Sequence, residues 1–77
     1  MEDKNFMEDL ASILEIEPNS ITMDFPFNRD NWNSLTIVSA IVLIDEHFGI
    51  SIEGEKLRKC STVGELWQLI EDVKNNQ

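Results

Sequence analysis

Residues 32–49 limit the fold more than any other stretch: Trp-Asn-Ser-Leu, then Thr-Ile-Val-Ser-Ala-Ile-Val-Leu-Ile, then Asp-Glu-His-Phe-Gly. Local propensity leaves them ambiguous, because Thr36, Ile37, Val38, Ile41, Val42 and Ile44 are β-branched and suit a strand. Length decides the matter. Strands usually run about five or six residues, whereas this apolar segment continues without a breaker from Ser34 to Phe48. Asn33 and Ser34 are suited to cap a helix and Gly49 to stop one. The segment therefore reads as one helix with the Ser34 hydroxyl at its mouth, and Ser34 is the residue the chain is built to present.

At about 100° per residue, Ile37, Ala40, Ile41, Ile44 and Phe48 fall on one side of that helix and are its expected core face. Ser39 and Glu46 lie opposite, with Thr36, Leu35, Val42 and Leu43 among them. An apolar patch on the outer side of a helix marks a docking surface unless neighbouring segments cover it, and the sequence leaves both readings open.

Around this helix the chain supplies two more. Phe6, Met7, Leu10, Ile13 and Leu14 recur at helical spacing between acidic residues, with Asp3 or Asn5 available as cap. Pro18 disfavours helical geometry at Glu17, so this helix should end near Glu15 or Ile16. Residues 19–31 have no sustained period and are rich in Asn, Asp, Ser and Pro, which predicts a long loop tethered by Ile21, Phe25, Phe27 and Trp32. After Gly49, Ile50 and Ile52 alternate with polar residues as a short extended connector, and residues 54–59 hold one apolar anchor, Leu57, enough for a turn or two of helix. Thr62 followed three residues later by Glu65 has the form of a capping box. Val63, Leu66, Trp67, Ile70 and Val73 then make a last amphipathic helix that frays at Asn75 and Asn76. Three longer helices and a short one can shelter their apolar stripes only by packing together, so the expected fold is an all-α four-helix bundle with a long first loop, a single domain over residues 1–77.

The chemistry available is narrow. Fifteen acidic residues against six basic ones argue against a nucleic-acid partner. One cysteine and one histidine do not make a zinc site. Asn28-Arg29-Asp30-Asn31-Trp32 places oxygens at alternate positions but lacks the glycine and terminal glutamate of a calcium loop. His47 and Ser34 sit at opposite ends of one helix, too far apart for a nucleophile and its base. His47 reads as a surface residue and Cys60 as a small buried packing side chain. Residues 1–5 lack the basic start of a signal peptide, and no apolar run is long enough to span a bilayer, so a cytoplasmic monomer without membrane insertion is expected. What remains is a lone serine at a helix start. That could be capping alone, yet the same helix terminus also favours an anion, such as a phosphodiester attached to the hydroxyl.

Three stretches carry a resemblance: Trp-Asn-Ser-Leu at 32–35, Ile-Asp-Glu-His-Phe-Gly-Ile at 44–50 and Thr-Val-Gly-Glu-Leu at 62–66. In this order and spacing they resemble the landmarks of acyl carrier proteins, four-helix bundles modified on the serine of an Asp-Ser-Leu motif, and above all freestanding carriers with Trp-Asp-Ser-Leu at the attachment site. The resemblance implies that Ser34 receives covalent 4′-phosphopantetheine from coenzyme A through a phosphopantetheinyl transferase. The arm's thiol would hold acyl groups as thioesters, and the chain would supply no catalytic groups. Acyl-loading, acyl-transferring and condensing enzymes would dock on Asn33, Leu35, Thr36, Ser39, Val42, Leu43 and Glu46. Two departures stand out. Asn33 replaces the family's usual aspartate, and Thr36 and Ser39 occupy positions that are acidic in many fatty-acid carriers, so no charge falls between Asp30 and Asp45. That pattern implies a carrier for a dedicated pathway rather than general fatty-acid synthesis. The competing expectation is an unmodified acidic interaction module that binds a partner through Leu35, Val42 and Leu43.

Overall fold

A computed structural model describes residues 4–76. They form the expected all-α arrangement: α1 (Lys4–Leu14), α2 (Ser34–Phe48), the short α3 (Gly54–Arg58) and α4 (Val63–Asn75). A turn of 3-10 helix at Pro18–Ser20 opens the long first loop.

α1 buries Phe6, Met7, Leu10, Ala11 and Leu14. It ends one residue before the expected position because Glu15 turns into the left-handed region at φ 60°. The Glu15 N–H then reaches Ser12 O at 3.1 Å and the Ile16 N–H reaches Ala11 O at 3.0 Å, satisfying carbonyls that the helix end would leave orphaned. Asn5 lies inside α1 and so is not its cap. The alternative, Asp3, lies outside the described residues.

α2 runs over the predicted residues, but its core face is turned relative to the expected one. Ile37, Ala40, Leu43 and Ile44 are buried, whereas Ile41 and Phe48 are only partly so. Leu43, expected on the docking side, is 8% exposed. The cause is α1, which packs against the side of α2 bearing Leu43 and His47: Phe6 meets His47 edge-on with centroids 5.6 Å apart, and Asp9 Oδ2 accepts from His47 Nε2 at 2.9 Å. His47 is therefore half-buried and paired instead of free on the surface. A helix apolar on most of its circumference does not announce which arc will be covered.

α3 approaches the other edge of that arc. A methyl added at Gly54 would stand 3.5 Å from Ile41 Cδ1 and 3.6 Å from Ile37 Cγ2, ordinary contact distances that show how closely the α3 backbone lies on α2. Leu57 is fully buried, and Ile50 and Ile52 point inward from the connector as expected. α4 buries Val63, Leu66 and Ile70, with Trp67 and Val73 half-covered at its edge. Only half of its capping box forms. Thr62 Oγ1 accepts from the Glu65 N–H at 3.2 Å, but the Glu65 carboxylate accepts from the N–H of Ser61, not of Thr62. At the far end Asn76 Nδ2 donates to Asp72 O at 2.9 Å, so the helix continues through Asn75.

The first loop is held by backbone as well as side chains. The Phe27 N–H donates to Ser61 O at 2.8 Å, the Val63 N–H to Phe25 O at 3.0 Å and the Gly64 N–H to Met23 O at 2.8 Å, straps around an antiparallel bridge between Pro26 and Thr62. Gly64 permits the approach, since a Cβ there would sit 3.0 Å from Met23 O. Ile21 and Trp32 are buried and Phe25 and Phe27 half-buried, so all four expected tethers pack.

Candidate functional site

The start of α2 is built by three consecutive residues with different tasks. Trp32 is 7% exposed, stacks on Phe27 with centroids 4.0 Å apart, and donates from its indole N–H to Leu57 O at 2.8 Å. It thereby ties the entry to α2 onto α3. Asn33 takes extended geometry at φ −126° and caps the helix, its Oδ1 accepting from the N–H groups of Leu35 at 3.0 Å and Thr36 at 3.2 Å. The Thr36 hydroxyl accepts in return from the Asn33 N–H at 2.9 Å, completing a reciprocal capping box. Asn33 also uses what an aspartate would lack: its Nδ2 donates to Asp30 O at 3.3 Å.

Because Asn33 does the capping, Ser34 has no such duty. It is exposed in the first turn of α2, and its Oγ accepts a hydrogen bond from Arg58 Nη2 at 3.3 Å. The bland reading of Ser34 as the cap thus falls away: the hydroxyl is released from capping, open to solvent, and faces a cation. A serine so placed fits esterification, since Oγ is accessible and any charge added there meets a guanidinium and the positive end of a helix.

Leu35 is 77% exposed, Val38 58% and Val42 54%, and at helical spacing they form one stripe running back from Ser34. Ser39 and Thr36 are half-buried beside it and Glu46 is exposed near the far end. Of the residues expected on this face, Leu43 alone is withdrawn into the core. Sequence reasoning passed over Val38, although the wheel put it beside Val42. It also passed over Arg58, which had no signal, being 24 positions away from its hydroxyl partner.

The polar residues that hinted at a cation loop are spent on the loop itself. Asn28 Oδ1 accepts from the N–H groups of Asp30 at 2.8 Å and Asn31 at 3.0 Å, and Asn31 Oδ1 accepts from the Asn28 N–H at 2.8 Å. Among the described residues, no group of three or more His, Cys, Asp or Glu is placed to hold a metal ion. Cys60 is buried, with burial, and secondarily Glu65, pushing its thiol up to about 11. Such a thiol stays protonated and is not a nucleophile at neutral pH. His47 lies at the opposite end of α2 from Ser34, about 20 Å along the axis.

Residues 6–70 match the family described as "Phosphopantetheine attachment site". Among curated proteins, the chain is similar to an acyl carrier protein of Helicobacter acinonychis (strain Sheeba), with 32% identity over 72 residues covering 87% of this chain and 92% of that one. It is also similar to an acyl carrier protein of Helicobacter pylori (strain G27), with 32% identity over 66 residues covering 84% and 85%. No solved structure matches the chain at a significant level.

Proposed function

The chain belongs to the acyl carrier protein family, and we propose that within it Ser34 is the residue that bears 4′-phosphopantetheine. The family is one of carriers, not catalysts: the covalent group, when bound, supplies a thiol that holds acyl cargo as a thioester for partner enzymes. The observation that carries the assignment is the pairing of an exposed Ser34 hydroxyl with a helix start already capped by its neighbour Asn33. Ser34 Oγ gives up its proton and bonds to the phosphorus that bears the pantetheine arm, while the pyrophosphate bond of coenzyme A breaks on the transferase and adenosine 3′,5′-bisphosphate leaves. Asn33 and Trp32 hold the backbone on either side of that step, one by capping α2 and the other by its bond to Leu57 O. Incubation with coenzyme A and a phosphopantetheinyl transferase should add the mass of one cofactor to the intact chain, and Ser34→Ala should abolish the gain. A gain that survives the substitution sinks the assignment. A native chain that never carries the group, yet still binds a partner after Ser34→Ala, establishes the interaction module instead.

Residues 1–77 serve on this reading as one carrier domain, a cytoplasmic monomer that meets the transferase and acyl-handling enzymes in turn. Its net charge of −9 supports protein partners over nucleic acid, and no helix among the described residues is long and apolar enough to cross a membrane. The partners belong to a dedicated pathway. What supports this is the face beside Ser34, where Leu35, Val38 and Val42 are exposed and no charged residue falls between Asp30 and Asp45. Contact there is apolar, with little long-range steering. Thr36→Glu combined with Ser39→Glu should raise turnover with a fatty-acid ketosynthase severalfold at low salt. The fold should tolerate the pair, since glutamate at the third helical position also serves a capping box. If the unaltered chain already matches a housekeeping carrier with that enzyme, the dedicated-pathway reading is wrong.

A further inference from the structure

One guanidinium group, that of Arg58, touches the Ser34 hydroxyl, a second, that of Arg29, shares a groove with it, and among the described residues neither has a carboxylate partner. Arg29 and Arg58 line one groove of about 340 Å³ together with Phe27, Asn28, Trp32 and Ser61, and Arg58 Nη2 donates to Ser34 Oγ at 3.3 Å. The ion pairs among the described residues are His47 with Asp9 and Lys74 with Glu71, so neither arginine is in one. In a chain with fifteen acids and six bases, that is a conspicuous allocation of two cations. The nearest acid in sequence, Asp30, is tied into the loop by its backbone, its N–H donating to Asn28 Oδ1 and its carbonyl accepting from Asn33 Nδ2.

We propose that Arg58, with Arg29 in the same groove, binds the phosphodiester formed at Ser34 and lays the first part of the attached arm along the groove. This rests on Ser34 being the attachment residue. Esterification replaces the hydroxyl proton with phosphorus, whose free oxygens stand two bonds beyond Oγ and so come within reach of a guanidinium already in contact with Oγ. The helix start cannot supply these contacts unaided, because Asn33 Oδ1 occupies the N–H groups of Leu35 and Thr36. A guanidinium fork matches two phosphate oxygens at once, which an ammonium does not. Asn33 contributes in a second way: its neutral side chain puts no negative charge next to the anion. Arg58 is thus a positioning residue for the arm, fixing the direction in which the arm leaves the protein.

The experiment is phosphorus NMR on the holo-protein, prepared with coenzyme A and a transferase and checked by intact mass. The folded wild type should show a phosphodiester resonance displaced from that of the same protein unfolded in urea. Arg58→Ala should move it at least halfway back, Arg58→Lys less, and Arg29→Ala by a smaller step, with circular dichroism unchanged. In the wild type itself, the Arg58 side-chain Nε–H resonance should shift on conversion from apo to holo, a readout that needs no variant. Absence of any mass gain overturns the attachment reading and this inference with it. A mass gain on Ser34 combined with an unmoved Arg58 Nε–H, or with a phosphorus resonance indifferent to Arg58→Ala, overturns this inference alone.

Discussion

The two ends of α2 are made on opposite principles. At its C-terminal end the helix is anchored by bulk: Phe6, Phe48 and Trp67 meet with centroids 5.1 to 6.0 Å apart, His47 joins Asp9, and Gly49 at φ 67° stops the helix. At its N-terminal end almost everything is a hydrogen bond: indole to Leu57 O, amide to two backbone N–H groups, hydroxyl to guanidinium. Hydrophobic burial is strong but directionless, whereas hydrogen bonds are weaker and fix orientation. The fold puts its adhesion where nothing has to be presented and its geometry where something does.

The largest effect should come from breaking the adhesive end. Phe6 is fully buried, and Phe6→Ala should cost about 3–5 kcal/mol of stability through lost burial and a residual cavity. In a chain this short that is a large part of the total, on the order of 5–10 kcal/mol. Urea denaturation would measure it, and a loss below about 1 kcal/mol would show that the aromatic cluster is not the anchor. A smaller effect is expected at the other end. Trp32→Phe keeps the stack on Phe27 but removes the indole donor from Leu57 O, which retains the Cys60 N–H at 3.0 Å, at a cost of about 0.5–1.5 kcal/mol. Its distinguishing consequence is functional. Transferase-catalysed modification of the still-folded variant should slow, because the lead-in to Ser34 is no longer tied to α3, and an unchanged rate would mean that Trp32 only contributes stability.

This contrast also separates what the sequence disclosed from what it withheld. The extent of α2 was readable, since its start and stop are written in Asn33, Ser34 and Gly49 and its length ruled out a strand. So was the order of helices, and Ser34 could be singled out because a hydroxyl, a cap and a helix coincide in three residues. The rotation of α2 was not readable. With Val38, Val42 and Leu43 as apolar as Ile37 and Ile44, only the arrival of α1 against His47 decides which arc is covered. The strapping of residues 23–27 to residues 61–64 also left little trace, because backbone pairing has no residue code. Gly64 hints at a close approach without naming Met23 as the neighbour. Arg58 is the clearest omission. Sequence gave it charge, and only tertiary structure gave it a place next to Ser34.

The smallest effect concerns Cys60, which belongs to the hydrogen-bonded end, since it borders the groove that Trp32 and Arg58 line. Its thiol donates to Lys56 O at 3.7 Å, and burial, with Glu65 adding to it, pushes its pKa from 9.0 to about 11. The folded chain therefore keeps this proton over a pH range in which the unfolded chain has lost it. The resulting stabilisation is fully present below about pH 9 and disappears as pH rises toward 11. Thermal melts of wild type and Cys60→Ala from pH 8 to 10.5 should show the wild-type advantage shrinking as pH rises, and curves that run parallel would refute the raised pKa. The same property marks the two thiols of the holo-protein. At neutral pH the solvent-exposed arm should react with an alkylating reagent long before the shielded Cys60 does, so one rapid labelling event per chain is expected in the holo form and none in the apo form. A rapid event in the apo form would mean that the groove opens enough to expose Cys60, and that the hydrogen-bonded end of α2 is looser than its contacts indicate.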